Sequence, residues 1–517
     1  MIKQDNSNGI RWGSFIYMKL IDTKSKRMIS ILKLLVSQNK WWTIQEFVDL
    51  EIGSFRAIQH DLEIMKSYLT DDHEPLLQFQ LRKGISIRFS QRLRVDDYIR
   101  QILLENTTIQ LVTGIIFEPP KPFVDWVNDL NVSRSTLYSK IKKINEELKE
   151  YDIELRSDTM QFHGNEKEIR RFFVEFSFEI YGNQYWPFLQ IEKQSVSAFL
   201  AKLCELFHTN LPEITINKYY FWLAIIIQRL KENKTIQPVI YPGNSEPISY
   251  EFKTLWESIQ DSYHALYEEF YKQFKIKISH AELTYFLVFI PIVGNFKSIY
   301  SIQENVNSLQ IYHPDIYNRI QCFIEQLDNI YSQKIGNRQE LTIQLIQFYL
   351  RTKELKGESE YIFKTKKNLL EQIKLRLPYF YKRMTQIIQL LNADDLLASF
   401  VHNQDALICL ITSNWRGLYS LELQKKPTIN MFITSSLGNN HALLIGELMR
   451  ENIPHHLQII TDYDQMLDEQ FLLDQQIDLI ITDIGLPKDV NLPIIKISAF
   501  PTQKEFECIN NLIMELF

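Results

Sequence analysis

Between Ser133 and Leu148 the chain groups Ser133, Arg134, Ser135, Thr136, Tyr138, Ser139, Lys140, Lys142 and Lys143 around an apolar stripe of Leu137, Ile141, Ile144 and Leu148. The chemistry offered is hydrogen bonding without catalysis. Short hydroxyls and one guanidinium at the amino end suit base edges, and the lysines that follow suit phosphates. A stripe repeating every three or four residues predicts one buried helix face, and Ser133 is a good N-cap for it. Upstream, Phe123, Val124, Trp126, Val127 and Leu130 fall at helical spacing after the stop at Pro119-Pro120, and Asn131-Val132-Ser133 makes the turn. Helix, tight turn and helix together predict a unit that reads duplex DNA. The plainer alternative is an amphipathic helix with a solvated basic face. The agreement of turn, cap and stripe over the whole unit favours the reader.

Two further elements must position such a reader. Ile153 to Ser157 and Met160 to Gly164 alternate around Ser157-Asp158-Thr159 and predict a hairpin, or wing. A weaker copy of the same plan lies upstream. There Met28 to Val36 reads as a helix, Thr43 caps a second from Ile44 to Leu50, and Phe55 to Leu69 follows a turn over Glu51 to Ser54. Ile58, Leu62 and Met65 are expected inward, with Arg56, Gln59, His60, Glu63 and Lys66 outward. A second wing is predicted around Arg82-Lys83-Gly84, with Arg82 and Lys83 as its basic tip.

At 517 residues the chain exceeds one core and calls for several domains. Phe (32) and Tyr (25) are plentiful and Gly (15) is scarce, which favours helices. The net charge of −6 argues against a general nucleic-acid coat, but it is unevenly spread: 26 basic and 24 acidic residues through Arg171 leave 31 and 39 for the remainder. A local basic face is what specific DNA binding needs. The four cysteines are far apart and show no zinc or disulfide spacing. No metal or cofactor is implied. Apolar runs such as Phe221 to Ile227 fall far short of the ~20 residues of a membrane span. A cytoplasmic protein with no membrane partner is expected, with a patternless tail before a start at Met1 or Met18.

From Asn165 to about Tyr419 helix follows helix. Phe221 to Lys231 and Leu345 to Lys353 share an apolar rhythm ending in basic residues, which suggests two related bundles. His208, His264, His280 and His313 lie in this body, none at metal-binding spacing. After Pro427 short strands alternate with helices, predicting an open parallel α/β sheet. Its first turn is Ser435-Ser436-Leu437-Gly438. Asp483 follows a later strand as in a phosphoacceptor site, but no acidic pair accompanies it to hold magnesium.

Two helix-turn-helix units, two bundles and an α/β tail, in that order, resemble the Mga/AtxA family of virulence and metabolic regulators of Gram-positive bacteria. The likeness is strongest from Val132 to Asn145 and from Phe162 to Phe173. It implies a mainly α fold with a small α/β C-terminal domain. The parts are a tail (1–23), winged helix-turn-helix units (24–92 and 93–172), two bundles like phosphotransferase-system regulation domains (173–294 and 295–424) and a domain like a sugar-transporter IIB component (425–517). It further implies an activator of transcription that binds promoter DNA, works with RNA polymerase, forms a dimer or larger through its C-terminal domain, and takes signals from phosphocarrier proteins of sugar transport. The chain departs from the pattern where phosphate would be carried. Trp222 and Gln344 stand where regulation domains of related activators carry histidines, and Ser435 stands where a IIB domain carries its cysteine. A Ser hydroxyl is a poor relay without a base beside it. His208 remains the candidate for phosphorylation. An RNA-binding antiterminator would carry a small β-sheet domain in front, and no such pattern is present. A phosphotransferase component would need the missing cysteine.

Overall fold

The computed structural model describes residues 20–37, 40–68, 70–71, 74–75, 77–80, 82–88, 95–182, 185–236, 260–290, 310, 314–355, 365–391, 397–425, 427–461, 469–485 and 492–516. The expected tail through residue 19, and His313, lie outside them. The chain divides into two compact units, one of residues 1–326, 337–371 and 388–414, the other of 327–336, 372–387 and 415–517.

The larger unit begins with α1 (Thr23–Ser37), α2 (Ile44–Asp49) and α3 (Phe55–Tyr68). Two residues each form β1 (Thr70–Asp71) and β2 (Glu74–Pro75), and the first wing is β3 (Leu77–Gln80) paired antiparallel with β4 (Gly84–Ile87). Thr43 and Glu46 cap α2 reciprocally in a capping box. Two helices then appear that the sequence reading left unassigned, α4 (Val95–Leu104) and α5 (Thr107–Phe117). Most of α5 is buried on all sides, so it lacks the polar face that would mark an amphipathic helix. Next come α6 (Phe123–Asp129), α7 (Arg134–Leu148), and the second wing, β5 (Ile153–Arg156) antiparallel to β6 (Gln161–Gly164).

The helical body follows with α8 (Glu166–Tyr181), α9 (Lys193–Leu206), α10 (Glu213–Lys231), α11 (Gln260–Phe274) and α12 (His280–Thr284). The last continues as one π-helical segment, Tyr285–Phe289. A second run holds α13 (Pro314–Tyr331), α14 (Arg338–Glu354), α15 (Thr365–Arg376), α16 (Pro378–Leu390), α17 (Ala398–His402), α18 (Gln404–Asn414) and α19 (Leu418–Lys425). The break expected at Pro378 falls between α15 and α16. There the buried Glu422 carboxylate of α19 accepts from the first N–H groups of α16, Tyr379 (2.8 Å) and Phe380 (3.1 Å), and from the Tyr331 hydroxyl.

In the tail, β7 (Thr428–Thr434), β8 (His456–Ile460), β9 (Leu479–Thr482) and β10 (Ile494–Lys496) form one sheet in the order β10-β9-β7-β8, every pair parallel. Ile429, Met431 and Ile433 bury one face against α20 (Asn439–Asn452) and α22 (Gln503–Leu516). Phe432 and Ile480 bury the other against α21 (Glu469–Asp474). Helices on both faces are what an all-parallel sheet requires. The mainly α architecture with a small α/β C-terminal domain is thus the one expected from the sequence.

Candidate nucleic-acid interface

In the second winged unit Leu137, Ile141, Ile144 and Leu148 are buried, as their spacing predicts. Ser133 sits outside the helix in extended backbone (φ −72°, ψ 156°) and its Oγ accepts the Thr136 N–H at 3.1 Å. The outer face is therefore fixed in rotation. Ser133, Arg134, Ser135, Thr136, Tyr138, Ser139 and Lys142 are exposed on it. Tyr138 stacks on Phe123 of α6, with ring centroids 4.6 Å apart, so its phenol stands on a supported base.

Two residues of the expected set face elsewhere. Lys140 and Lys143 are half-buried. Lys140 Nζ donates to Thr108 Oγ1 of α5 (3.2 Å), and Lys143 Nζ donates to the Ile21 carbonyl ahead of α1 (3.2 Å). Burial lowers the pKa of Lys140 from the ordinary lysine range. Both positions lie on the flank between the buried stripe and the outer face. A flexible lysine stem reaches a polar partner from there, which helical spacing alone does not reveal.

The second wing is tied to α7 by Asn145. Its Nδ2 donates to the Leu155 carbonyl (3.0 Å) and its Oδ1 accepts the Leu155 N–H (2.7 Å), so one amide side chain supplies both bonds that a neighbouring strand would. At the wing's far end Gly164 has φ +139°, and a Cβ there would lie 2.1 Å from the Asp152 carbonyl oxygen. Between α7 and the wing runs a groove of about 830 Å³ lined in part by Tyr138, Lys142, Lys149, Arg156 and His163, with Glu146 and Glu154 also on its walls. Burial, followed by the nearby Arg156 and Lys234, holds the His163 pKa below the usual imidazole value. Sequence reading missed Asn145. Its only signal was an amide adjoining the stripe in the last turn of α7.

The first unit repeats this plan with other side chains. Ile58, Leu62 and Met65 are buried, and Arg56, Gln59, His60 and Glu63 are exposed. Arg82, at φ +70°, and Lys83 form an exposed wing tip. Gly84 (φ +107°) passes so close to Trp42 that a Cβ would lie 2.2 Å from its carbonyl oxygen, and Trp42 exchanges two 2.7 Å backbone bonds with Ile85. Lys66 lies 5.3 Å from the Phe79 ring of the wing. Asp61 on α3 is buried and bonded to Arg27 of α1 at 2.5 Å.

Residues 91–177 match the family model of the Mga helix-turn-helix domain. Over 498 residues, 95% of this chain and 99% of the other, the sequence is 21% identical to the anthrax toxin expression trans-acting positive regulator of Bacillus anthracis. Two capsule synthesis positive regulators of that organism also align. AcpB is 19% identical over 335 residues (63% and 66% of the chains), and AcpA is 20% identical over 215 residues (41% and 43%). Residues 91–177 thus carry an Mga helix-turn-helix domain, and the chain as a whole is similar to positive regulators of the Mga/AtxA type.

The residues singled out in the helical body by the resemblance to regulation domains are placed as follows. Trp222 is buried in α10, near the Tyr285 ring. Arg229, on the same helix, donates to Glu166 at 2.7 and 2.9 Å, and Glu166 also accepts from Arg170 (2.9 Å), whose guanidinium is fully buried on Glu282. His208 is exposed just past the end of α9 with φ +47°. His264 is exposed beside Glu268, and His280 Nδ1 meets the Tyr267 hydroxyl at 3.1 Å.

In the regulator's tail Ser435 is 1% exposed and donates to Asp483 Oδ2 at 2.9 Å. His441 Nδ1 lies 2.7 Å from the same oxygen, so the hydroxyl stands between a carboxylate and an imidazole. Asp483 also accepts the Ser436 N–H (2.7 Å) and hydroxyl (2.8 Å). Burial opposes ionisation of Asp483, but these bonds prevail and hold its pKa below the ordinary carboxylate value. Among the described residues no helix is long and apolar enough to cross a membrane.

Proposed function

We propose that this regulator binds duplex promoter DNA through α7 and the β5–β6 wing, uses α3 and the β3–β4 wing as a second contact, and activates transcription with RNA polymerase. The observation that carries the reading is the outer face of α7. Arg134 and Lys142 are exposed there among hydroxyls with no acid between Ser133 and Lys143, on a helix fixed by its cap and clamped to a wing. Such a face can present Arg134 to guanine or phosphate and short hydroxyls to base edges. The names of the relatives, positive regulators of toxin expression and capsule synthesis, support the activating direction.

A gel shift with duplex DNA against single-stranded RNA tests this. A shift with duplex only, weakened in Arg134→Ala, is expected. A shift with RNA only would point to an antiterminator and sink the activator reading.

The bundles are proposed to sense carbohydrate status through phosphocarrier proteins, with His208 as the accepting imidazole. Its exposure supports this, since a donor protein must reach it. Phosphate labelling from the general sugar-relay proteins, lost in His208→Ala, is the expected result, and unchanged labelling removes His208. The tail is proposed for self-association and not for phosphate relay, because a buried serine hydroxyl, with none of a thiol's acidity, stands where a IIB domain carries its cysteine. Sedimentation of the full chain should show a dimer or larger.

A further inference from the structure

Of the two lysines that turn away from the outer face of α7, Lys140 ties that helix to α5 of its own unit and Lys143 reaches toward the other winged unit. Lys143 holds the carbonyl of Ile21, at the entry to α1, and Lys140 holds Thr108 at the first turn of α5. Asn106 sits between the units. Its Oδ1 accepts the Thr108 and Ile109 N–H groups (2.9 and 3.3 Å), capping α5, while its Nδ2 donates to Ser25 of α1 at 3.0 Å. Asn106 and Ser25 are both buried. Beneath these bonds α1 packs on α4, and one apolar core runs without a gap from Ile29 and Leu32 through Ile99 and Leu103 to Leu137 and Ile144.

Two domains joined by a linker keep few buried contacts and move independently. Here the contacts are buried, apolar and polar together, and a close-packed interior deforms little. From this we infer that the two winged units form one rigid reader, so that α3 and α7 meet DNA at one fixed separation and one helical phase. The target is then a composite element whose two subsites cannot be moved apart. This rests on the proposal that both units contact duplex DNA, and it goes further by fixing the form of the site. Lys143 and Asn106 become positioning residues that join the units.

B-DNA turns once per ~10–10.5 base pairs, or about 34–36 Å. Five inserted base pairs put one subsite on the opposite face, and ten restore the face but move it by a full turn. A flexible tandem would accept the ten-base-pair insert, whereas a rigid one rejects both, because the gain from joined binding vanishes once simultaneous engagement is impossible.

The test uses the full-length protein and a natural target located by footprinting. Inserts of five and ten base pairs are placed between the two protected segments. Both are expected to lower affinity about tenfold or more. Arg56→Ala should weaken binding to the native spacing and leave binding to the inserted duplexes unchanged, since the first unit has already let go. Affinities within twofold for all three spacings, or a footprint of one segment only, would overturn the rigid reader while leaving DNA binding intact. Failure to shift any duplex would instead remove the DNA-binding reading and this inference with it.

Discussion

The two winged units share a skeleton and differ in what they display on it. Aligning Ser54 with Ser133 places the buried Ile58, Leu62 and Met65 opposite Leu137, Ile141 and Ile144. Asp61, bonded to Arg27 of α1, then stands opposite Lys140, bonded to Thr108 of α5. In each unit this one inward-flank position ties the second helix to an earlier one with a polar bond of opposite sign. On the outer face Phe55, Arg56, Gln59, His60 and Glu63 stand opposite Arg134, Ser135, Tyr138, Ser139 and Lys142. The second unit shows Arg134 beside hydroxyls at the start of its helix and Lys142, 3.9 Å from Glu146, one turn past Ser139, where the first has Phe55 and Glu63. The two copies thus differ in which side chains stand at the amino end of the helix and about two turns further on.

The largest expected effect tests what the copies share. In both, a glycine crosses a backbone carbonyl at positive φ, Gly84 at Trp42 and Gly164 at Asp152. An added Cβ meets an atom that cannot move aside, and a left-handed backbone adds strain. Gly84→Ala and Gly164→Ala should each destabilise the protein by about 3 kcal/mol or unfold the wing. Thermal denaturation with circular dichroism measures this. A harmless Gly84→Ala would show that the first wing is not built like the second.

The next effect tests what separates them. Arg134→Ala should cost about 1–3 kcal/mol of binding to the specific duplex and relax preference at one base position. Arg56→Ala should cost less, act alike on all sequences, and lower the salt slope by about 1, as for a phosphate contact. Competition gel shifts at several salt concentrations give both numbers. Equal, sequence-dependent losses would erase the distinction drawn from Glu63 and Lys142.

How much of this could be read beforehand follows the same physics. The stripes, the Thr43 and Ser133 caps, the wings and the parallel tail were legible, because each depends on residues a few positions apart. Helix α5 was not, since it is apolar on nearly every side. The directions of Lys140 and Lys143 were not, because their partners Thr108 and Ile21 lie 32 and 122 residues away. Ser435 was legible as a change from cysteine, but its hydrogen bond to Asp483, 48 residues on, was not.

Asn145 offers a smaller contrast. Its counterpart is Lys66, which meets the first wing through the Phe79 ring. Two hydrogen bonds to Leu155 are worth about 1–2 kcal/mol together, and a cation–π contact at an exposed site ~0.5–1 kcal/mol. Asn145→Ala should speed amide exchange at Leu155 and lower both DNA affinity and salt slope, because a loosened wing no longer holds Arg156 beside the groove. Lys66→Ala should do less of each. If Asn145→Ala weakens binding with the salt slope and Leu155 exchange unchanged, the amide acts on DNA directly and not through the wing.

The smallest effect concerns pH, and it belongs to the second wing alone. His163 has its pKa depressed below 6.5 by burial first and then by Arg156 and Lys234, while Asp158 and Glu154 act the other way. The folded state therefore binds fewer protons than the unfolded state in the interval between the two pKa values, and stability rises with pH there. The contribution is complete above about 6.5 and is lost as pH falls from that value toward the folded one. His163→Gln should flatten this dependence in thermal melts of the free protein between pH 7 and pH 5. The Thr159 hydroxyl, 3.1 Å from Nε2, keeps a possible partner for the new amide, so the substitution isolates the proton from the hydrogen bond. A slope unchanged by His163→Gln would place the titrating group outside the wing.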